Sequence, residues 1–330
     1  MDIVTQGLTG SILALSLAEK KHLKSASIIG FVSGLTADLD FFIQSSEDPL
    51  LNLDFHRHFT HSLIFIPAGA LFAALILWPF FRKKMPFRNL YVFSFAGYML
   101  SGFIDACTSY GTHLLWPFSE VRTAFHIISI VDPIFSGILF SGIVFGIYKK
   151  NNLHARISVL LGALYFLFAF YQQSSAESSA VKLAEARNHI VERIVVKPSL
   201  GNVFLWRSTY ISRGKIYVDA VRTIPGSVRI YEGSSVNIYR PERDALQLQN
   251  SVLYRDIIRF QTFSDGFIGL HPDEPDILGD VRYSMFPDST VPLWGITLNA
   301  QKKDRHAELR YFRKMKSEDR QHFLDMFLGK

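Results

Sequence analysis

The sequence predicts a membrane bundle of about six α-helices over residues 1–171, followed by a soluble α+β domain over residues 172–330. Three observations lead there. The long apolar runs fall almost entirely before Tyr171, after which the composition is that of a water-soluble domain. Short basic loops recur between the apolar runs at every second gap, as the charge bias of a polytopic membrane protein requires. Histidines and aspartates gather beside the ends of apolar segments, where an ionisable group is costly unless it serves a purpose.

Each helix rests on a particular run. Ile3–Ala18 is the most polar, and its Gly7, Gly10 and Ser11 suit close helix packing. Ile28–Ile43 is apolar except for Asp38 and Asp40 near its end. Ser62–Phe81 is 20 residues without a charge, the length that crosses hydrocarbon. Leu90–Ile104 runs up to Asp105. Ile127–Tyr148 is long enough but interrupted at Asp132-Pro133, and Ile157–Tyr171 is short. Lys20, Lys21 and Lys24 follow the first run, Arg82, Lys83, Lys84 and Arg88 the third, and Lys149, Lys150 and Arg156 the fifth. With six alternating helices these loops share one side, which the positive-inside rule makes cytoplasmic. Loops 41–61 and 106–126, both termini and the C-terminal domain then lie outside.

The residues after Tyr171 read as a helix at 174–195, then strands at Asn202–Tyr210, Lys215–Arg222 and Val228–Tyr231, with Arg213-Gly214 as a hairpin turn. Further strands are expected at Ile257–Thr262, Asp280–Met285 and Leu293–Asn299, and an amphipathic helix at Ser317–Leu328. His189, His271, His306 and His322 are scattered here without metal-ligand spacing. A net charge of +6, spread over loops, makes no case for nucleic acid. The single cysteine, Cys107, excludes an intrachain disulfide and a cysteine-based zinc site.

The chemistry concentrates in the two outer loops. His56, His58 and His61 occur within six residues, directly before a charge-free span. Neutral imidazole is a good ligand for zinc and similar metals. Asp38, Asp105, His113 and Asp132 lie on the same predicted face. The ligand candidates are therefore Asp38, His56, His61, Asp105, His113 and Asp132, with Asp40 as general base and Arg57 holding a phosphate or stabilising developing negative charge. Blander readings stand beside these. Asp38 and Asp40 read equally well as interfacial acids at a helix end. Asp105 reads as a helix cap, Asp132 as an N-cap before Pro133 at the first helical position, and Arg57 as a membrane-surface charge.

Asp38-Leu39-Asp40, His56-Arg57 with Thr60-His61-Ser62, Asp105 through Tyr110-Gly111, and Leu114-Leu115-Trp116-Pro117 resemble the YdjM-type membrane-bound, metal-dependent hydrolases of bacteria, over roughly residues 1–171. The resemblance implies a multi-helix membrane domain and a divalent metal, and it raises the prior for hydrolysis without naming a substrate. Many members of that family carry Thr-His near the N-terminus, where this chain has Thr5-Gln6.

The expectation is a hydrolase using a divalent metal ion, Zn²⁺ by first choice, on an ester or phosphoester. A site at headgroup level favours lipid or lipid-linked substrates, and membrane lipids are the expected surroundings. The alternative is a non-enzymatic, metal-stabilised membrane scaffold whose C-terminal domain binds a partner. A transporter would place ionisable residues at mid-bilayer on several helices, and here the acids gather at one end.

Overall fold

The computed structural model describes residues 1–313 and 317–330. Through residue 186 its named elements are helices, α1 (Ile3–Leu17), α2 (Leu23–Leu35), α3 (Leu51–Phe55), α4 (Ile66–Phe81), α5 (Phe87–Tyr98), α6 (Ser101–Ala106), α7 (Pro133–Tyr148) and α8 (Leu153–Ala186), with a non-helical stretch at 107–132. A 3-10 helix, Thr36–Phe42, continues α2, and shorter 3-10 turns cover Phe59–His61 and Leu63–Phe65. Among the described residues, three segments are long and apolar enough to cross a membrane: Leu23–Phe42, Leu63–Phe81 and Leu153–Ala186. Ile3–Leu17 and Pro133–Tyr148 are apolar but shorter.

Chain contacts divide the molecule into two units. The first comprises 1–43, 55–170 and 200–202; the second comprises 44–54, 171–199 and 203–330. In the first, α1, α2 and α5 approach until their backbones nearly touch. A Cβ added at Gly10 or Gly97 would strike the Gly30 carbonyl oxygen. Small residues permit this approach, and close van der Waals packing replaces the hydrophobic drive that lipid cannot supply. The sides turned away from these contacts are apolar: Phe72, Leu75, Phe80, Phe140, Phe145, Leu160 and Leu167 are all exposed, as a lipid-facing surface requires.

Two segments depart from the predicted helices for visible reasons. The run at 90–104 divides after Tyr98, and α6 restarts at Ser101. The run at 127–148 becomes helical only at Pro133, where Asp132 caps α7 by accepting from the Phe135 amide at 2.9 Å. Proline at the first helical position removes an amide that would otherwise lack a partner.

The second unit holds two four-stranded antiparallel sheets. One has the order β1 (Arg193–Pro198), β2 (Leu205–Ser212), β3 (Lys215–Ile224), β4 (Ser227–Asn237). The other has β5 (Ile268–Leu270), β6 (Ile277–Asp280), β7 (Trp294–Thr297), β8 (Leu309–Tyr311). The β2–β3 hairpin turns at Arg213 and Gly214, both at positive φ (49° and 74°), the twist a tight two-residue turn demands. Helices α9 (Pro241–Asp244), α10 (Val252–Phe263) and α11 (Ser317–Leu328) complete the unit.

Three expectations fail here. The strand expected at 280–285 is not one: β6 ends at Asp280, whose side chain accepts from the Arg282 amide at 3.1 Å where the chain turns. Residues 257–262 are not a strand but the body of α10. Leu253, Ile257 and Phe260 are buried at helical spacing, and the Ser251 side chain caps the Tyr254 amide. The helix expected at 174–195 also differs. Residues 174–186 continue α8, and the chain then leaves the helix, takes positive φ at Asn188 (57°), and enters β1 at Arg193. Ile194, Val195 and Val196 are β-branched and pair with Tyr210, Thr209 and Ser208 of β2.

Candidate metal centre

The site begins where α2 tightens into a 3-10 helix at Thr36–Phe42. At three residues per turn, side chains two apart diverge by roughly 120°. Asp38 and Asp40 thus flank one object rather than lying side by side. That object is the imidazole of His61, in the 3-10 turn Phe59–His61 and fully buried. Asp38 Oδ1 lies 3.3 Å from His61 Nε2, and Asp40 Oδ2 lies 3.4 Å from His61 Nδ1.

The third carboxylate arrives from α6. Asp105 Oδ2 lies 3.0 Å from His61 Nε2. Gly102 makes this possible, because a Cβ there would overlap the His61 carbonyl oxygen. The absence of a side chain lets α6 seat directly on the His61 backbone. Asp38, His61 and Asp105 each offer one ligand atom, all within 4.8 Å of one another. Yet neither His61 Nε2 nor Asp105 Oδ2 has a hydrogen-bond partner. Two buried polar atoms 3.0 Å apart that do not bond each other are costly. Ligand atoms on one tetrahedral cation, at bonds of about 2.0–2.2 Å, stand about 3.3–3.6 Å apart, close to the 3.3 and 3.0 Å that separate His61 Nε2 from Asp38 and Asp105. The donors and the spacing fit a divalent metal ion.

Asp40 faces the other way. Its Oδ1 is 3.1 Å from His56 Nδ1, and its Oδ2 accepts from the Arg57 amide at 2.8 Å and from the Thr60 hydroxyl. Thr60 Oγ1 is also 3.0 Å from His61 Nδ1, and the Tyr98 hydroxyl donates to the Thr60 carbonyl at 2.6 Å. One carboxylate therefore folds the 56–61 loop around itself and sets the His61 ring from its rear nitrogen, the arrangement that orients histidine ligands in metal sites. Arg57 holds φ at 60°, a conformation a non-glycine residue adopts only when its surroundings impose it. Its guanidinium is buried, 3.3 Å from Asp105 Oδ1 and 3.3 Å from Thr108 Oγ1, and it stacks over Tyr110 at 5.1 Å. The Met1 amino group contacts the same Asp105 oxygen.

Burial opposes a charged His61. The surrounding carboxylates of Asp105, Asp38 and Asp40 outweigh it and raise the imidazolium pKa to about 10. The same carboxylates that would share a cation with His61 thus attract a proton when no cation is bound.

The structure distributes the predicted site residues unevenly. It brings Asp38, His61 and Asp105 together. His56 stands on Asp40, outside that trio. Asp132 is fully buried, with its oxygens taken by the Phe135 amide and, at 2.7 Å, by the Tyr165 hydroxyl. That is the N-cap arrangement. His113 lies beside His58 and Glu120 in a second group. Burial, with Arg122 and His58 adding repulsion, lowers the His113 pKa to about 4, so its ring is neutral at pH 7. Sequence reasoning passed over Glu120. Nothing in the spacing of Glu120 points to His58, which is 62 residues away in sequence.

A family model described as YdjM inner membrane protein matches residues 1–176. No curated protein and no solved structure matches the chain.

Proposed function

The chain belongs to the YdjM inner membrane protein family, and from that premise we propose that it is a membrane-bound, metal-dependent hydrolase working at the membrane–water interface. The observation that carries this reading is the convergence of Asp38, His61 and Asp105, with His61 Nε2 and Asp105 Oδ2 buried and otherwise unpartnered. Asp38 closes one apolar span, Leu23–Phe42, and His61 precedes another, Leu63–Phe81, so the site belongs to the end of the bundle. When bound, a divalent cation supplies Lewis acidity toward a scissile ester or phosphoester and acidifies water.

The chain's own residues divide the remaining work. Asp38, His61 and Asp105 hold the ion. Asp40 accepts from His56 Nδ1 and so leaves His56 Nε2 as the proton-transferring atom, with His56 as general base. Arg57, directed at Asp105, keeps that carboxylate ionised rather than reaching outward for a phosphate. The loop after His113 carries exposed Leu115, Phe118 (83% exposed) and Val121, apolar residues suited to the headgroup boundary. That location favours lipid or lipid-linked esters and phosphoesters. The three basic loops supply the orientation: the site and the C-terminal unit on the extracytoplasmic side.

The test is a hydrolysis screen of the full chain in detergent, against phosphoesters and glycerophospholipids, after chelation and after readdition of Zn²⁺ or Mn²⁺. The reading expects turnover that chelation abolishes, a metal restores and His61→Ala lacks. Turnover indifferent to chelation, or equal in His61→Ala, contradicts it.

A further inference from the structure

We propose that His58, His113 and Glu120 form a second divalent-metal site, separate from the Asp38–His61–Asp105 centre and selective for zinc-like cations. The three side chains each offer one ligand atom, and these atoms lie within 4.8 Å of one another. The imidazole rings of His58 and His113 stand 4.5 Å apart, tilted by 46°. Two imidazoles at this distance repel if both are protonated, and two neutral ones can share a cation.

The backbone builds the pair deliberately. The His113 amide donates to the Arg57 carbonyl at 3.1 Å, which fixes His113 beside the residue preceding His58. His113 Nδ1 is buried without a hydrogen-bond partner, so a ring nitrogen of this residue stands unused inside the group. Trp116, 5.6 Å from His58, borders the ring pair with apolar surface.

A third group, Asp48, Asp256 and His306, shows what a satisfied cluster looks like. There Asp256 accepts from the Ala307 amide at 2.8 Å and from Arg259 at 3.1 Å, and Arg259 also pairs with Asp48 and Asp54. An arginine already supplies the positive charge. The His58 group has two imidazoles and one carboxylate, and one of its nitrogens, His113 Nδ1, is orphaned. Two imidazoles with one carboxylate suit Zn²⁺ and its borderline neighbours, whereas Mg²⁺ and Ca²⁺ prefer all-oxygen shells. Three protein ligands would leave a coordination position open on such a cation, and Glu120 is itself exposed.

The test is zinc stoichiometry of metal-stripped, full-length protein in detergent, titrated with Zn²⁺ alone and read by mass spectrometry of bound metal. The expected result is two zinc ions per wild-type chain, one for His113→Ala, one for His61→Ala and none for the double variant. Glu120→Ala changes an exposed side chain and leaves the fold out of account. It should weaken one of the two zinc ions by at least about tenfold, the loss typical of a removed site contact. Mg²⁺ should not occupy the His113-dependent position. Zinc binding unchanged in both His113→Ala and Glu120→Ala overturns the proposal, whatever His61→Ala does. Loss confined to those two variants, with His61→Ala unaffected, upholds this site and removes the hydrolase centre instead.

Discussion

Asp40 shows how a residue's type can be legible while its part is not. A carboxylate beside Asp38 and three histidines invites the general-base reading. The structure gives its oxygens to His56, the Arg57 amide and Thr60, and sets it behind His61. Only the backbone decides this, because a 3-10 rather than an α-helical turn sets the angle between Asp38 and Asp40. Asp40→Asn should therefore weaken zinc binding about 10–100-fold, the usual cost of losing a carboxylate behind a ligand histidine, as measured by competition with a chromophoric chelator. Undiminished affinity would remove Asp40 from that role. His56→Gln should keep the metal and lose turnover on the order of 10²–10⁴-fold, as loss of a general base does. A variant that loses metal instead would make His56 a ligand. In the second unit, Lys197 is buried with its ammonium 3.1 Å from the Tyr283 ring centroid. Burial, with Arg207 adding repulsion, holds its pKa well below 10.5. The unfolded chain then binds a proton that the folded chain resists, so stability falls as pH drops below 10.5 and recovers as pH rises toward it. Lys197→Met should raise the melting temperature at pH 7 by a few degrees, since ~1 kcal/mol corresponds to about 2–4 °C at this size, and the gain should vanish above pH 10.5. An equal gain at both pH values would assign the effect to packing alone.

Helices and strands were legible where a single period dominates. The charge-free run before Phe81, the Arg213-Gly214 hairpin and the break before Pro133 all carry local signals, and all three are present. Residues 257–262 misled because isoleucine, phenylalanine and threonine favour strands, while burial follows Leu253, Ile257 and Phe260 at helical spacing. Placement of α6 was beyond reach, since a glycine's value depends on what faces it. Gly102 faces the His61 carbonyl. Gly102→Ala must push α6 and Asp105 away from His61, so it should lower zinc affinity by more than tenfold while Gly137→Ala, with open space around it, does nothing. Equal affinities in the two variants would show that the seating of α6 does not set the ligand geometry.

At the scale of the molecule, hydropathy set an apolar, helical first part against a second part that holds the two sheets, and the family match covers the first of these. The coming together of three residues from three separate segments was only half visible. Asp38 and His61 drew notice because they flank apolar spans, but Asp132 stood beside Asp105 among the candidates, and only packing separates a capping carboxylate from a converging one. The proposed orientation rests on the basic loops. A phosphatase reporter fused after Lys330 should be active as an exported protein, and cytoplasmic-type reporter activity there would place the C-terminal unit and the site on the other side. The central claim is that Asp38, His61 and Asp105 hold a metal ion. Anomalous diffraction at the zinc edge, from crystals grown with Zn²⁺, tests it most directly. The account predicts a peak about 2.0–2.2 Å from His61 Nε2, shared by Asp38 and Asp105 and absent in His61→Ala. Zinc peaks elsewhere, with none between these three side chains, would contradict it.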